Sequence, residues 1–537
     1  MKASSPMESR RIGVVALILI VISALIIRDS MVSSHPRGSV GYATVSSSSK
    51  SSSALPYIFS KTEPILASNH AISSQWFCVA PRQLQGTVPG VIDLANVTNR
   101  QLSGHAKWIN LSGSVVAATS IIVPPRTQVS LASPLASGSY QAVTITVAGG
   151  GLGAWETSGG PGGQSINTCS DFTSKTWLFA GGDTLGNDRL AYMIYNPGAT
   201  QALVQMNFSN ASGTLDSTQF QAIEVPPMRL VVEDVTPSLF DESAIGATLT
   251  CRLGQVVAFQ LELHPPAPAS VSAALAPGGS GAVSTLLGVT STGNLWYFPQ
   301  GVTSSQESED LYLFNTSTMQ SEVRLSFFFS QGAASPQVIE VPSQSVLDVA
   351  MNSDSRVPPG VSEFLTLKVI SGPPIAAFQS IGTTLPSNAT TANQGQSKVV
   401  PWQTIVAGTR EPMLNWIVGG TPESVYSQSP SGSYGNTVIV ANPAPRVAKV
   451  SFYFLGRGFK EEIRSVSNIR VAPKSHVYLE IPQPSSRQSA LANINGFEIQ
   501  ATVPAIVVSS NQPVVITQEF TSPGLPGWSA QDGIGVR

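Results

Sequence analysis

Four landmarks recur in the same order four times along this 537-residue chain: a tryptophan, an asparagine turn, a proline turn and a closing strand–turn–strand segment. The tryptophans lie 101, 119 and 120 residues apart, whereas solenoid and propeller repeats are ~20–50 residues long. We therefore expect each copy to fold as a domain of its own. The landmarks are Trp76, Trp177, Trp296 and Trp416, Asn96, Asn196, Asn315 and Asn442, and the turns that begin at Pro124, Pro226, Pro342 and Pro473.

Apolar and polar residues alternate along the segments that follow the asparagine turns. Val204, Met206 and Phe208 alternate with Gln205 and Asn207, and the third and fourth copies repeat the pattern. Successive side chains of a strand face opposite sides, so this period of two predicts strands with one buried face. About seven such strands in ~100 residues predict an all-β fold of tandem immunoglobulin-like β-sandwiches. A β-barrel is the alternative for each unit.

The landmarks and the Gly/Pro/Ser-rich stretches between them predict the domain boundaries. The four β-sandwich units are predicted at residues 70–158, 169–263, 289–386 and 399–525. A linker rich in proline, alanine and glycine is predicted at residues 264–288. Each unit is expected to close with a hairpin-like pair of strands.

The composition excludes several classes of protein. Only 11% of the residues are charged and 42% are hydrophobic, which does not fit a disordered chain. The net charge is −2, without long runs of either sign, so there is no electrostatic case for nucleic-acid binding. The three cysteines and five histidines are scattered, so neither a zinc site nor any other cofactor is predicted.

An apolar run of sixteen residues, 12–27, follows Arg10 and Arg11. As a helix it would be ~24 Å long, between the lengths of a signal peptide core and a bilayer span. We predict an uncleaved transmembrane signal anchor, with residues 1–11 in the cytoplasm and residues 28–69 as a Ser-rich linker. The remainder would then be extracytoplasmic, on a single-pass protein of the cell membrane. The alternative is secretion after signal cleavage near Ala24.

The tandem pattern W-[FLY]-C/F, L-x-N-P, V-P-P/A and G-x-V-V-A, behind an N-terminal anchor, resembles a family of anchored or secreted actinobacterial proteins that is catalogued as a domain of unknown function. The resemblance covers roughly residues 70–525. It implies a tandem β-sandwich ectodomain in the cell envelope, and it implies no activity. The chain departs from the pattern at Asn96, which precedes valine, and at Asn315, which precedes threonine.

Cys78 and Cys169 lie at the two edges of the first unit, just after one landmark tryptophan and eight residues before the next. Because an exported protein meets an oxidising environment, we predict a disulfide between them. The alternative is a pair of free thiols. Cys251 lies within an apparent strand, where a small core residue is expected.

Acidic residues occur in two polar stretches. Asp183 and Asp188, in the loop GGDTLGND, are weak candidates for a calcium site, but the loop lacks the ligand spacing of an EF-hand, so a solvated turn is favoured. QESED, residues 306–310, is interpreted as a charged turn or strand edge. Neither stretch is predicted to be catalytic, and no catalytic or metal-binding residue is assigned.

These patterns lead to a functional hypothesis. We expect a non-enzymatic, membrane-anchored ectodomain with a structural or surface-interaction role in the cell envelope, and a cell-wall polymer or an envelope protein as its partner. A carbohydrate-binding array is the first alternative, although Trp155, Trp177, Trp296 and Trp416 are expected to pack in the core. A hydrolase is the second, and would need two close carboxylates in a pocket.

Overall fold

The computed structural model describes residues 62–80, 88–113, 115–132, 140–160, 163–186, 188–264, 282–304, 307–330, 332–383, 402–420, 435–455, 465–480, 492–494, 497–499, 505–521 and 528–536. Within them every regular element is a β-strand, apart from two short 3-10 helices at Thr218–Phe220 and Met351–Ser353. The all-β prediction is therefore confirmed. The predicted anchor, 12–27, lies outside these residues, and none of the helices inside them has the length and apolar character to cross a membrane.

Each unit consists of two antiparallel sheets. We call the one with the landmark tryptophan the Trp sheet and the one with the landmark asparagine the Asn sheet. In the first unit the Trp sheet has the order β2-β7-β4-β5 and the Asn sheet β6-β3-β8-β9. The strands to this point are β1 (Ile65–Leu66), β2 (Ser73–Ala80), β3 (Val88–Asn96), β4 (Leu102–Asn110), β5 (Val115–Val123), β6 (Gln128–Ala132), β7 (Gln141–Ala148), β8 (Leu152–Gly160) and β9 (Gly163–Thr168).

The second unit repeats this topology, with the Trp sheet β10-β16-β12-β13 and the Asn sheet β15-β11-β17-β18, while β14 pairs with β12. The last strand, β18, lies inside the stretch 264–288 that composition alone predicts as linker. The strands are β10 (Thr176–Gly182), β11 (Arg189–Asn196), β12 (Ala202–Asn210), β13 (Gly213–Leu215), β14 (Ile223–Val225), β15 (Arg229–Asp234), β16 (Ile245–Leu253), β17 (Val257–His264) and β18 (Ala282–Leu287).

The third unit has the Trp sheet β19-β25-β21-β22 and the Asn sheet β24-β20-β26-β27, while β23 pairs with β21. Its arrangement is that of the second unit, strand for strand. The strands are β19 (Leu295–Phe298), β20 (Glu307–Asn315), β21 (Ser321–Phe329), β22 (Gly332–Ala333), β23 (Gln337–Val341), β24 (Ser345–Ala350), β25 (Glu363–Ser371), β26 (Ala376–Thr383) and β27 (Trp402–Ala407).

The fourth unit joins its two sheets through one long strand. The first half of β35 pairs with β28 and β30, and its second half pairs with β29 and β36. The strands are β28 (Met413–Val418), β29 (Gly435–Asn442), β30 (Ala448–Phe454), β31 (Ser465–Val471), β32 (Ser475–Glu480), β33 (Ala492–Ile494), β34 (Phe497–Ile499), β35 (Ile506–Thr521), β36 (Trp528–Asp532) and β37 (Ile534–Val536).

The closing segment of each unit is not a hairpin, contrary to the expectation from sequence. In the first three units its two strands, such as β16 and β17, lie in different sheets of the same unit, and in the fourth unit the single strand β35 runs through both sheets. The chain crosses between the sheets at glycines with φ between 73° and 94°, namely Gly149, Gly151, Gly254 and Gly372. A side chain is disfavoured in this conformation, so glycine permits the crossing. The sequence pattern of strand, turn and strand is the same for a hairpin and for a crossing.

The fourth strand of each Asn sheet lies at the centre of the molecule. β9 lies beside β18, β18 beside β27, β27 beside β36, and β36 beside β9. This cyclic order arranges the four units as a closed ring around one axis. Residues 61–537 accordingly form one compact body.

An Asn sheet that lies between two Trp sheets is covered on one face by the Trp sheet of its own unit and on the other by the Trp sheet of a neighbouring unit. In the second unit, the ring of Tyr192 lies 5.3 Å from that of Phe179 in its own Trp sheet. Tyr195 points the other way, and its hydroxyl lies 2.7 Å from that of Thr144 in the Trp sheet of the first unit. With both faces covered, every residue of β11 after Arg189 is buried, and one hydrophobic core continues from Phe77 to Ile405.

The two ends of the described chain complete the ring. β37 pairs with β28 in the fourth unit and, in parallel, with β1 at the start of the first. Glu63 accepts a hydrogen bond of 2.7 Å from the backbone N–H of Arg410. Gly419 packs against Trp155, where a Cβ would lie 2.9 Å from the ring. The first and fourth units therefore meet through strand pairing and core packing.

The landmark tryptophans are buried and make hydrogen bonds that stabilise the fold. The indole Nε1–H groups of Trp76, Trp177, Trp296 and Trp416 donate to the carbonyls of Leu152, Val256, Ile375 and Val514, at 2.8–3.0 Å. All four tryptophans are at most 1% exposed. Each bond links the first strand of a Trp sheet to the crossing segment of its own unit, which holds the two sheets together.

The landmark asparagines fasten the two turns of each unit to one another. Asn196 Nδ2 donates to the carbonyls of Thr200 and Val225, at 2.8 and 2.9 Å, and Oδ1 accepts from the N–H of Gly198 at 2.9 Å. The same set of bonds recurs at Asn96, Asn315 and Asn442. Because the proline turn supplies an acceptor, its position relative to the asparagine is nearly constant along the sequence.

Candidate functional site

The structure joins Cys78 of β2 to Cys169, which follows β9, in a disulfide with a Cα–Cα distance of 4.7 Å. Both residues are fully buried. The bridge closes a loop with a sequence separation of 91 and fastens the first Trp sheet to the segment that leads into the second unit. Cys251 is free and buried.

The loop with Asp183 and Asp188 folds as a turn. Asp183 Oδ1 accepts from the N–H of Leu185 at 3.3 Å, and the N–H of Asp188 donates to the carbonyl of Leu185 at 3.0 Å. The N–H of Asp183 donates to Glu262 Oε1 of β17 at 3.2 Å. Throughout the described residues, no three histidine, cysteine or acidic side chains are grouped to hold a metal ion.

The polar groups that depart from the repeat are buried carboxyls. Glu156 occupies the position at which the other three units have Gln260, Gln379 and Gln518, as the strand register shows. Burial of an ionised carboxylate is unfavourable, so these acids are the candidates for a functional site. They are at most 7% exposed and comprise Asp93, Glu156, Glu262, Glu309, Glu363 and Glu519.

The interpretation of residues 306–310 as a turn or a strand edge is wrong. Glu307–Asn315 is β20, which lies inside the Asn sheet between β24 and β26. Glu309 is 0% exposed. Its neighbours along the chain are polar, and that local composition is typical of a turn. Its burial comes from the covering sheets, which lie far away in sequence.

Glu309 and Glu363 are brought together inside the third unit. Both carboxyl groups approach Gly301 so closely that a Cβ there would lie 2.9 Å from the two oxygens of Glu309 and from the carboxyl carbon of Glu363. The two carboxyl groups therefore lie next to each other. Burial raises the pKa of both groups, to about 7 for Glu309 and about 10 for Glu363, where the adjacent Glu309 raises it further. Gln379 Nε2 donates to Glu309 Oε1 at 2.6 Å.

This pair does not have the geometry of a glycosidase site. Each carboxyl is 0% exposed, so a saccharide cannot reach the two acids in this conformation. The sequence contains no signal for the pair, because the two residues lie on strands of different sheets, 54 positions apart.

Ser362 and His476 also meet, across the junction of the third and fourth units. The Ser362 hydroxyl lies 3.4 Å from His476 Nε2. Burial lowers the pKa of His476 to about 4, so the ring is neutral. A catalytic triad needs an acid on the other ring nitrogen, and within the described residues Nδ1 has no hydrogen-bond partner. The two residues thus lack the third member of a triad.

A further buried acid lies at the junction of the fourth and first units. Asp93 accepts from the hydroxyls of Ser130 at 2.5 Å and Thr157 at 3.3 Å, and from Gln128 Nε2 at 3.3 Å. Gln128 in turn bonds both the N–H and the carbonyl of Gly420 in the fourth unit. Burial raises the pKa of Asp93 to about 7. This network helps to hold the ring closed.

Glu519 of β35 gives the molecule a predicted pH dependence. Burial, reinforced by Glu307, raises its pKa to about 8. In the unfolded chain a glutamate has a pKa of ~4.3, so between these values the folded state holds a proton that the unfolded state has released. Stability is then greatest at acidic pH and falls as the pH rises from ~4 to ~8.

We expect the thermal midpoint to decrease between pH 5 and pH 8, and the substitution Glu519→Gln to flatten that decrease. Calorimetry at several pH values checks this. The matched control is Glu224→Gln, at an exposed position of β14, which should leave the profile unchanged. A midpoint that rises through the same interval in the unsubstituted protein would contradict the linkage.

Part of the repeat has a counterpart among known sequences. Residues 140–377 match the profile of a family of unknown function, DUF5719. The match runs from the start of β7 in the first unit to β26 in the third, and covers less than half of the chain. No curated protein was found to match. The similarity thus includes the landmarks of the second and third units and carries no activity with it.

Proposed function

We propose that the protein is a membrane-anchored, extracytoplasmic β-ring without catalytic activity, which binds an extended segment of an envelope protein. The observation that carries this proposal is the outer edge of the first unit, β5. This strand is nine residues long and contains no charged residue or proline. Among the described residues β5 pairs with β4 alone. Val115 and Val116 are 54% and 43% exposed.

The corresponding edge strands of the second and third units differ from β5. In the second and third units the edge is divided into two short strands, β13 and β14 or β22 and β23. Each of these edges carries one glutamate, Glu224 in β14 and Glu340 in β23. Short and charged edges are the usual protection against pairing with another chain. β5 lacks both protections, and an edge of this kind accepts an added strand through backbone hydrogen bonds. A polypeptide is therefore favoured over a polysaccharide as partner.

The burial of the tryptophans also favours a polypeptide over a polysaccharide as partner. Trp155, Trp177, Trp296 and Trp416 are buried, so they offer no platform on which sugar rings could stack. The buried disulfide is typical of an oxidising compartment outside the cytoplasm. The apolar run at residues 12–27 provides the proposed membrane anchor.

A photo-crosslinking residue at Val116 tests this function in intact cells that produce the full chain. We expect a crosslinked envelope protein from position 116, and none from the control position Val338, which is 49% exposed on the edge of the third unit. Val116→Lys should abolish the crosslink made from Ala118, another exposed position of β5. Equal products from 116 and 338, or recovery of the chain in the cytoplasmic fraction, would overturn the proposal.

A further inference from the structure

Within the part of the chain that the structure describes, no positively charged group acts on the carboxyl pair of the third unit. Asp310 is the charged group that acts on Glu309 apart from Glu363 itself, and it is an acid. Glu309 is the charged group that acts on Glu363. Two adjacent carboxylates cannot both be ionised in a buried site unless a cation or a proton neutralises them.

Among the described residues, the hydrogen-bond donors of neighbouring residues reach only one carboxyl group of the pair, that of Glu309. Gln379 Nε2 donates both to Glu309 Oε1 and to the carbonyl of Gln300, each at 2.6 Å. The N–H of Val302 also donates to the Glu309 carboxyl. Among the described residues, no N–H or hydroxyl group of another residue reaches Glu309 Oε2 or either oxygen of Glu363.

Thr303 adds a third polar side chain on the side of its segment that faces the two carboxyl groups. Val302 pairs with Ser362 as an antiparallel bridge, and the N–H of Glu363 donates to the carbonyl of Gly301 at 2.9 Å. In such an extended segment residues 301 and 303 face the same side, and the Cβ direction of Gly301 points at the two carboxyls. Thr303 is 2% exposed, and its hydroxyl has no partner within the described residues.

Four buried oxygen atoms thus have no donor among the described residues: Glu309 Oε2, both carboxyl oxygens of Glu363, and Thr303 Oγ1. A proton shared by the carboxyls would pair two of them and leave the others without a partner. A metal ion between the two carboxyls would neutralise them and take these oxygens as ligands. Carboxylate and neutral oxygens are the ligands of calcium, which takes six to eight of them in flexible geometry, whereas magnesium usually retains several waters.

We propose that Glu309, Glu363 and Thr303 form a binding site for one calcium ion inside the third unit. The ion would join β20 of the Asn sheet to β25 of the Trp sheet, and the segment before β20 to both. Gly301 is required there because any side chain would collide with the carboxyl groups. The other three units lack the pair, since the positions equivalent to Glu309 are occupied by Leu190 and Asn436 in the second and fourth units and by Gly90 in the first.

The test uses the purified full-length chain, stripped with a chelator and titrated with calcium chloride at pH 7.5. We expect one calcium ion per chain by elemental analysis and calorimetric titration, and a higher thermal midpoint with the ion bound. Glu363→Gln should abolish binding. Thr303→Val, which removes the hydroxyl and preserves the shape, should weaken binding about ten-fold, the effect of losing ~1.4 kcal/mol.

Glu156→Gln is the matched control, because it replaces another buried acid with the residue that the three sister units have at that position. This variant should bind calcium as the unsubstituted chain does. The proposal is overturned if the folded, unsubstituted chain binds no calcium, an outcome that does not depend on the folding of any variant. It is also overturned if Glu363→Gln retains one tightly bound ion.

Discussion

Replacing Asn196 with alanine should lower the free energy of unfolding by ~4 kcal/mol, which is a large share of the stability of most domains. The substitution removes three hydrogen bonds and leaves the carbonyls of Thr200 and Val225 and the N–H of Gly198 without their partner. The bond to Val225 is buried, so leaving that carbonyl without a partner costs ~1–3 kcal/mol, and each of the two part-buried bonds contributes ~0.5–1.5 kcal/mol more. Equilibrium denaturation followed by tryptophan fluorescence measures the change.

Asn196→Asp separates the donor from the acceptor function of this side chain. It preserves Oδ1 but places a second oxygen against two carbonyl oxygens, so we expect it to be at least as destabilising as alanine. Asn207→Ala is the matched control, because Asn207 is exposed on the neighbouring strand β12. The account of the landmark asparagines would fail if Asn196→Ala were no more destabilising than Asn207→Ala.

Removing the disulfide should have an effect of similar size. Cys78→Ala together with Cys169→Ala releases a loop with a sequence separation of 91, for which chain entropy predicts a loss of ~4–5 kcal/mol. Reduction of the unsubstituted protein under denaturing conditions should prevent refolding to the same stability. Thermal unfolding under oxidising and reducing conditions provides the measurement.

Cys251→Ala is the control for the loss of a buried cysteine, and we expect it to cost ~1 kcal/mol because only one small side-chain atom is removed. Peptide mapping without reduction should yield one linked peptide that contains Cys78 and Cys169. Free thiols at both positions in the folded protein would contradict the assignment and remove the expected stabilisation.

Sequence reasoning identified the features that each unit repeats. The tryptophans and asparagines have the same role in all four copies, and their recurrence in the sequence distinguishes folding landmarks from site residues. The alternation of apolar and polar residues along a strand can also be predicted, because it depends only on which face of consecutive residues is buried. Cys78 and Cys169 were paired in the prediction from compartment and position, and they are bonded in the structure.

The features that escaped prediction are those that join distant parts of the chain. Glu309 lies in a polar stretch, and its burial depends on sheets that pack over it from elsewhere. The crossing at Gly254 has the sequence pattern of a hairpin. Closure of the ring depends on β1 and β37, two short strands that are separated by almost the whole described chain, and no periodicity in the sequence connects them.

Closure of the ring is the central structural claim, and crosslinking of its two ends tests it directly. Cysteines at Ile65 and Val536 would lie on paired strands, one position out of register because Ile65 pairs with Gly535, and paired strands are ~5 Å apart in a sheet. A short bismaleimide should therefore join residues 65 and 536 within one chain, while a cysteine at Val338 in place of Val536 should give no such link. If the four units form a closed ring, we expect the peptide crosslinked between residues 65 and 536 in high yield. Its absence, with both thiols reactive, would show that the first and fourth units do not meet.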